Sequence, residues 1–464
     1  MIFSSFAFIF YFLPATLVAY YSFKSLVWRN TVLFVFSLFF YSWGEPFYVA
    51  LIVVSIFFNW YIGLLIYNRN FSRKALLVFG ISINLAGILF FKYSHFFFDN
   101  IYLFFGLEDN SIEVVLPIGI SFYTFQAISY LVDVYRGVIL PQKSPLYFGT
   151  YLSMFPQLIA GPIVRYSTIH RQLNLRNESF DDFSMGIRRF IIGFCKKVFF
   201  ANNMAVIADT ILSTDPLLIG AIPAWYAFVA YSLQIFFDFS GYSDMAIGLG
   251  RMFGFYFLEN FNYPYISRSV TEFWRRWHIS LSTFFRDYLY IPMGGNRVTT
   301  IRWSINILIV WTLTGLWHGA NWNFIFWGLY YGILILGEKI IWSKFLKQLP
   351  AFLQHLYTVI CFFMGWVIFR IDGFQDIILW YRTLFGLNGS GNISSLNEMN
   401  VLQYFPWVLL AILISTPFHR FFIFRFQTSF FVRATSDICY LLFFLFALTK
   451  LASGAFNPFI YFRF

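Results

Sequence analysis

Long apolar stretches, broken by short clusters of lysine and arginine, run along the whole 464-residue chain. A bilayer-spanning helix needs about 20 apolar residues, so the chain has room for roughly 10 to 13 membrane helices. Basic residues collect in cytoplasmic loops, and acidic or neutral turns separate the successive basic clusters. The pattern predicts an all-α, polytopic membrane protein. We expect the N-terminus outside, because the first positive charges, Lys24 and Arg29, follow the first apolar run.

The composition places the chain among integral membrane proteins. Hydrophobic residues make up 59% of the sequence and charged residues 11%, and the mean hydropathy is +0.67. Such a chain lacks the polar residues to cover a water-facing surface on all sides. We interpret the net charge of +11 as loop topology, so no nucleic-acid partner is expected. No soluble domain, internal repeat or low-complexity tail interrupts the pattern, and residues 1–464 are predicted to form a single membrane domain.

One apolar segment, LSMFPQLIAGPIV, is too interrupted to be an ordinary span. It contains Pro156, Gly161 and Pro162 within a few residues. Irregular backbone at membrane depth is tolerated only where protein shields it or where it lines a wet cavity. The segment is therefore predicted to be re-entrant.

The segment from Arg268 to Arg302 concentrates six arginines against two acidic residues. Its periodicity predicts one basic amphipathic helix with Trp274 and His278 on the apolar face. Glu272 and Arg276 are four residues apart and are expected to pair. A simpler alternative is an interfacial helix that binds lipid headgroups, in which His278 is only a packed, hydrogen-bonded side chain.

A short glycine motif, YIPMGGNR, follows this helix. Pro292, Gly294 and Gly295 are predicted to form a tight turn. Successive backbone amides in such a turn can bind an anion. Together with Arg297, the turn is predicted to hold a phosphate group.

His318 lies in the middle of the apolar stretch 303–337, which carries no formally charged residue. As one helix the stretch would be about 50 Å long, too long for a hydrocarbon core of about 30 Å. We therefore expect two short helices that meet near Gly319–Asn321, with His318 at the break. Trp317, Asn321 and Trp322 would supply N–H donors there.

A neutral imidazole beside such donors has the chemistry that acyl transfer requires. The imidazole removes a proton from the attacking hydroxyl, and the donors stabilise charge on the carbonyl oxygen. The alternative is a structural histidine at a helix break. The sequence contains no G-x-S-x-G motif, P-loop or pair of histidines at metal-ligand spacing, so no metal site and no permanently bound cofactor are predicted.

The motifs FWRRWHISLSTFFRDYLYIPMGGNR, GLWHGANW and NPFIYFRF carry a family resemblance. Over essentially its full length the chain resembles the membrane-bound O-acyltransferases, and within them the branch that acetylates alginate, with relatives serving peptidoglycan or cellulose. The family's two histidines match His318, taken as catalytic, and His278. The resemblance implies a ring of membrane helices, including short, re-entrant and interfacial ones, around a central tunnel.

The resemblance also implies a function. A multi-pass protein of the bacterial inner membrane would take acetyl from cytoplasmic acetyl-CoA and pass it outward. The acceptor would be a periplasmic SGNH-type acetyltransferase, which then modifies a polysaccharide, or the sugar itself. The residues expected to contact the CoA moiety are Trp274, Arg275, Arg276, Trp277, Arg286 and Arg297.

Three alternatives stay open, and the first two come from other functional classes. Intramembrane histidines and broken helices are also typical of transporters and channels, which move a substrate without chemistry. A scaffold subunit of a polysaccharide-modifying complex is the second alternative. D-alanyl transfer to teichoic acid is the third, because that branch of the family is similar around His278.

Overall fold

The computed structural model describes residues 1–68, 70–107, 114–388, 396, 398–418 and 430–453, so the C-terminal motif NPFIYFRF lies outside the described residues. The described part of the chain is helical and contains no β-strand. The helices of the first half are α1 (Ala7–Tyr21), α2 (Leu26–Ser42), α3 (Val49–Tyr67), α4 (Arg73–Phe105), α5 (Ile120–Arg136), α6 (Pro145–Ser153), α7 (Phe155–Leu158), α8 (Tyr166–Asn174) and α9 (Phe180–Leu212). Those of the second half are α10 (Ala221–Met252), α11 (Val270–Arg276), α12 (Ile279–Phe285), α13 (Thr300–His318), α14 (Trp322–Gln348), α15 (Ala351–Arg370), α16 (Phe374–Leu384), α17 (Leu402–Ile414) and α18 (Phe430–Ala452).

Six of these helices are long and apolar enough to cross a membrane, counted over the described residues. They are α3, α4, α9, α14, α15 and the 435–452 part of α18. Three shorter apolar helices, α1, α2 and α17, accompany them. The prediction of a helical, multi-pass membrane protein is confirmed. The total of roughly 10 to 13 segments, the ring and the tunnel stay predictions.

The described chain divides into two compact units, and the first consists of residues Met1–Phe190 and Met245–Leu258. It buries a small ionic cluster. Tyr20 donates its hydroxyl proton to the Glu178 carboxylate at 2.6 Å, and Arg29 pairs with the same carboxylate. The Arg176 guanidinium donates to Asn30 Oδ1 at 2.9 Å. Buried charges are tolerated when they are paired and hydrogen-bonded, and this cluster meets that condition.

The segment predicted to be re-entrant belongs to the first unit. Helix α6 ends at Ser153, the single turn α7 follows, and the backbone is irregular from there to Val164. Residues 148–164 are all buried. A Cβ on Gly161 would approach the Pro156 carbonyl oxygen to 2.8 Å, so the chain passes too close to itself for a larger residue. The irregular backbone is shielded by protein, as membrane depth requires; its path relative to the bilayer stays a prediction.

The second unit consists of residues Ile191–Asp244 and Glu259–Phe464. Its central feature is the packing of α13 against α14. A Cβ on Gly315 would collide with the Phe324 carbonyl, and one on Gly328 would collide with the Trp311 carbonyl. Small residues let membrane helices approach closely, where dispersion contacts hold them together. The two glycines therefore bring the C-terminal end of α13, which carries His318, against α14.

Candidate active site

His278 lies at a sharp break between two short helices. Helix α11 ends at Arg276 and α12 begins at Ile279, and His278 itself has the left-handed backbone conformation, with φ +44° and ψ 55°. The prediction of one continuous amphipathic helix through Trp274 and His278 is therefore wrong. A left-handed conformation is strained for a residue other than glycine and is concentrated at functional sites.

Backbone pairing with the segment 260–262 explains the break. The Ile279 N–H donates to the Asn260 carbonyl at 3.0 Å, and the Asn262 N–H donates to the Arg276 carbonyl at 2.9 Å. These long-range hydrogen bonds take the place of helical ones. Sequence periodicity carries no information about them, because the two segments meet only in the folded chain.

The N-terminus of α11 is held by Glu338 of α14. The buried carboxylate accepts hydrogen bonds from the Val270 N–H at 2.6 Å, the Thr271 N–H at 2.9 Å and the Thr271 hydroxyl at 2.6 Å. An anion at a helix N-terminus accepts hydrogen bonds from the free N–H groups and interacts favourably with the positive end of the helix dipole. Glu338 thus fixes the helix that leads into His278, a role that the sequence analysis missed.

The His278 ring is 1% exposed and is oriented by an asparagine. Its Nδ1 lies 3.1 Å from Asn260 Oδ1, and the same oxygen accepts hydrogen bonds from the Ser280 N–H at 3.2 Å and the Ser280 hydroxyl at 2.9 Å. Asn260 Nδ2 donates to Ser243 Oγ at 3.1 Å. Phe239 packs edge-on against the imidazole, with ring centroids 4.6 Å apart. Asn260 carries no sequence signal beyond the ordinary turn composition of ENFNYPY.

The surroundings of the His278 imidazole favour its neutral form. Burial lowers its pKa well below the ordinary 6.5, and the charge of the neighbouring His318 lowers it further. The residue lies outside the six candidate membrane-spanning helices. A neutral imidazole carries a lone pair that can accept a proton.

His318 is the last residue of α13, and α14 begins four residues later, so the predicted helix break is confirmed. The His318 side chain is buried among Trp317, Trp327 and Phe369, with ring centroids 5.0–5.3 Å away. The Trp317 ring also packs against His278, at 5.9 Å. Trp317 therefore contacts both histidines, which the fold brings together from positions 40 residues apart in sequence.

The other two polar residues expected around His318 have defined places. The Asn321 side chain caps α14 by accepting the Trp322 N–H at 2.6 Å, and its Nδ2 donates to Asp372 at 3.3 Å. Trp322 is 50% exposed and stacks on Phe326. Asn321 thus caps the start of α14 after the helix break. A contact of Asn321 or Trp322 with the reacting carbonyl stays a prediction.

Two of the four predicted phosphate-binding arginines have a carboxylate partner, and the other two are exposed. Arg276 is paired with Glu272 at 2.8 Å, as expected from their spacing, and Arg286 is paired with Asp287 at 2.6 Å. Arg275 and Arg297 are exposed, and within the described part of the chain neither forms an ion pair. Arg275 also lies close enough to the exposed Lys339 for their like charges to interact.

The predicted glycine turn is present, but its amides are not available as predicted. Gly294 and Gly295 have positive φ angles, 102° and 55°. The Gly294 N–H donates to the Ile291 carbonyl and the Gly295 N–H to the Tyr290 carbonyl, both at 2.9 Å, while the Arg297 N–H donates to Gly294. These three amides already donate within the turn, which argues against their binding a phosphate; the phosphate contact of the turn and of Arg297 stays a prediction.

The two tryptophans of the motif are packed inside the second unit. The Trp274 ring contacts Trp311, Trp327 and Tyr331 at centroid distances of 4.8–5.3 Å. Trp277 is 2% exposed and packs on Phe273 and Trp366. Both rings therefore belong to the aromatic core of the second unit, and their contact with the acyl donor stays a prediction.

Comparison of the sequence with known proteins identifies the family of this chain. The sequence profile of the membrane-bound O-acyltransferase family matches residues 139–375, a range that includes both histidines. The chain belongs to this family and is an O-acyltransferase, so the interpretations as a transporter, a channel or a scaffold are wrong.

Three relatives show the range of similarity. The chain is 42% identical over 424 residues to the probable alginate O-acetylase AlgI of Azotobacter vinelandii, covering 89% of this chain and 84% of the relative. It is 35% identical to the peptidoglycan O-acetyltransferase of Helicobacter pylori, covering 84% and 80%. Similarity to the teichoic acid D-alanyltransferase of Bacillus subtilis is 32% over 252 residues, covering 50% and 62%.

Proposed function

We propose that this enzyme takes acetyl groups from cytoplasmic acetyl-CoA and passes them across the bacterial inner membrane for O-acetylation of an exported or cell-wall polysaccharide. The observation that carries the proposal is the pair of buried histidines packed against Trp317. The alginate and peptidoglycan relatives, similar over most of both chains, support acetyl as the transferred group and a polysaccharide as the final acceptor.

His318 is the proposed general base. Its imidazole takes the proton of the attacking hydroxyl while the hydroxyl oxygen bonds to the acetyl carbonyl carbon. The carbon–sulfur bond of the thioester then breaks, and the CoA thiolate takes the proton back as it leaves. Trp317, which contacts both imidazole rings, is proposed to donate its indole N–H toward the carbonyl oxygen as negative charge develops there.

Arg275, Lys339 and Arg297 are the proposed contacts for the CoA phosphates. Arg275 and Lys339 are exposed cations whose like charges interact, so an anion between them would relieve their repulsion. Arginine binds phosphate through charge-assisted hydrogen bonds. Arg276 and Arg286 already have carboxylate partners and are expected to contribute less.

The proposed acceptor is a serine of a periplasmic SGNH-type acetyltransferase, which then esterifies the polysaccharide; direct transfer to the sugar is the alternative route. D-alanyl transfer to teichoic acid is a second candidate function. The Bacillus subtilis relative favours it, but only half of this chain is covered by that similarity.

The test is transfer in membrane vesicles that contain the protein and its native envelope acceptor, supplied with labelled acetyl-CoA on the cytoplasmic side. Wild-type protein should move label to the envelope, and His318→Ala should not. The matched control is His355→Ala, which removes a half-buried histidine whose Nδ1 faces the Ser267 carbonyl at 3.1 Å. Label that moves equally well with His318→Ala, or only from a D-alanyl donor, would refute the proposal.

A further inference from the structure

Asn260 makes the shorter of the two polar contacts recorded for the His278 imidazole; the other joins His278 Nδ1 to Ser280 Oγ at 3.5 Å. Asn260 is 1% exposed, and its side-chain oxygen faces His278 Nδ1 at 3.1 Å. Within the described part of the chain, His278 Nε2 has no hydrogen-bond partner, although the ring is also 1% exposed. A buried polar atom without a partner is rare in folded proteins and often marks a site that a ligand completes.

The orientation of the Asn260 amide is fixed by its other neighbours. The Ser280 backbone N–H, 3.2 Å away, can only donate, so the Asn260 atom that faces it must be the oxygen. The opposite end of the amide donates to Ser243 Oγ at 3.1 Å. A flipped amide would set its NH₂ group against the Ser280 N–H, which excludes that orientation.

The protonation of the imidazole follows from this orientation. An amide oxygen only accepts hydrogen bonds, so the nitrogen that faces it, Nδ1, must carry the hydrogen. In a neutral ring the other nitrogen then holds the lone pair. Nε2 is consequently a proton acceptor and cannot donate a hydrogen bond to a carbonyl oxygen unless the ring is protonated.

We propose that Asn260 is a positioning residue that locks His278 in the Nδ1–H tautomer, so that the unprotonated Nε2 accepts a hydrogen bond from the bound substrate while His318 takes the proton of the attacking hydroxyl. This inference rests on the proposed function and deepens it, because it assigns to His278 a hydrogen-bond-accepting part beside the general base His318. The left-handed backbone of His278 contributes to the same positioning. The hydrogen bond from the Ile279 N–H to the Asn260 carbonyl stabilises the turn that orients the imidazole ring.

The two acidic residues of α10 next to the contacts of this site, Asp238 and Asp244, are paired with Lys197 and Lys196, so the protonation of the imidazole should be measurable in the pH profile. His318 is the titratable neighbour, acting through its charge across Trp317. Phe239 packs on the ring from α10, and the adjacent Asp238 is neutralised by Lys197 at 2.7 Å. Asn260 and Ser280 contribute no charge.

The test measures acetyl transfer in vesicles over a range of pH for three variants. Two change Asn260, and the third is a control at Asn262. Asn260→Leu removes the oxygen, and kcat should fall by at least about tenfold, since positioned acid–base groups contribute 10²- to 10⁴-fold. KM for acetyl-CoA should change little. Asn260→Asp keeps the oxygen and adds a negative charge that favours the imidazolium, so transfer should be retained while its acidic limb moves up by about one pH unit or more. Asn262→Ala, at an exposed asparagine two residues away, is the matched control and should match wild type in both respects.

The outcomes separate this inference from the proposed function. If His278→Ala abolishes transfer but a well-folded Asn260→Leu keeps wild-type kcat, or if Asn260→Asp leaves the acidic limb unmoved, the positioning role is refuted while the two-histidine site stands. If His278→Ala and His318→Ala both transfer normally, the proposed function itself fails. Should Asn260→Leu not elute as a monodisperse species, the pH profile of Asn260→Asp decides alone.

Discussion

Removal of the buried Glu338 carboxylate of α14 should destabilise the second unit more than removal of the half-buried Glu272 carboxylate of α11. Glu338 is 4% exposed and accepts three hydrogen bonds from the first turn of α11. In Glu338→Ala the Val270 and Thr271 N–H groups lose their acceptor while they stay buried or half-buried. Each unsatisfied donor costs about 1–3 kcal/mol, so the expected loss of unfolding free energy is about 2–6 kcal/mol.

Glu272→Ala supplies the control for this experiment. Glu272 lies in α11 itself, but its carboxylate and the Arg276 guanidinium are 34% and 28% exposed, and such surface pairs contribute about 0.2–1 kcal/mol. Thermal unfolding in detergent, followed by tryptophan fluorescence, should therefore give a much lower midpoint for Glu338→Ala than for Glu272→Ala. Equal shifts for the two variants would mean that Glu338 does not hold α11, and that the break at His278 is maintained by the 260–262 segment alone.

Four further outcomes are expected. His318→Ala should retain roughly a hundredth or less of wild-type transfer at equal expression, and more than half would disprove its role as a base. Arg275→Glu should weaken acetyl-CoA binding, most clearly at low ionic strength, whereas Arg276→Glu should weaken it less; equal affinity in a well-folded Arg275→Glu would place the donor elsewhere. Burial lowers the pKa of His278 below 6.5, so the unfolded chain binds a proton at this ring at a higher pH than the folded chain does. The free energy of unfolding is therefore fully present above about pH 6.5 and falls at lower pH. His278→Gln should flatten this pH dependence, and an unchanged slope would contradict the reasoning. Gly328→Leu should abolish stable folding, since its side chain would enter the Trp311 backbone, and a wild-type midpoint would disprove the close α13–α14 packing.

The sequence by itself determined the class of the protein and the position of one helix break. Membrane helices are set by composition over about 20 residues, a local property that the apolar stretches display directly. The break at His318 followed from length, because an uncharged stretch of that size does not fit one span. The pairing of Glu272 with Arg276 followed from helical spacing, which is also local.

The tertiary structure alone decided what happens at His278. Periodicity predicted a continuous helix, whereas hydrogen bonds to residues 260–262 break it. Those partners, and Glu338 some 60 residues further on, come into contact with this segment only in the folded chain. No periodic pattern in the sequence predicts them. The same applies to the glycine turn, whose amides are consumed by carbonyls inside the turn itself. Hydrogen-bond partners in a buried site are settled by three-dimensional packing, because every buried donor must find an acceptor wherever the folded chain provides one.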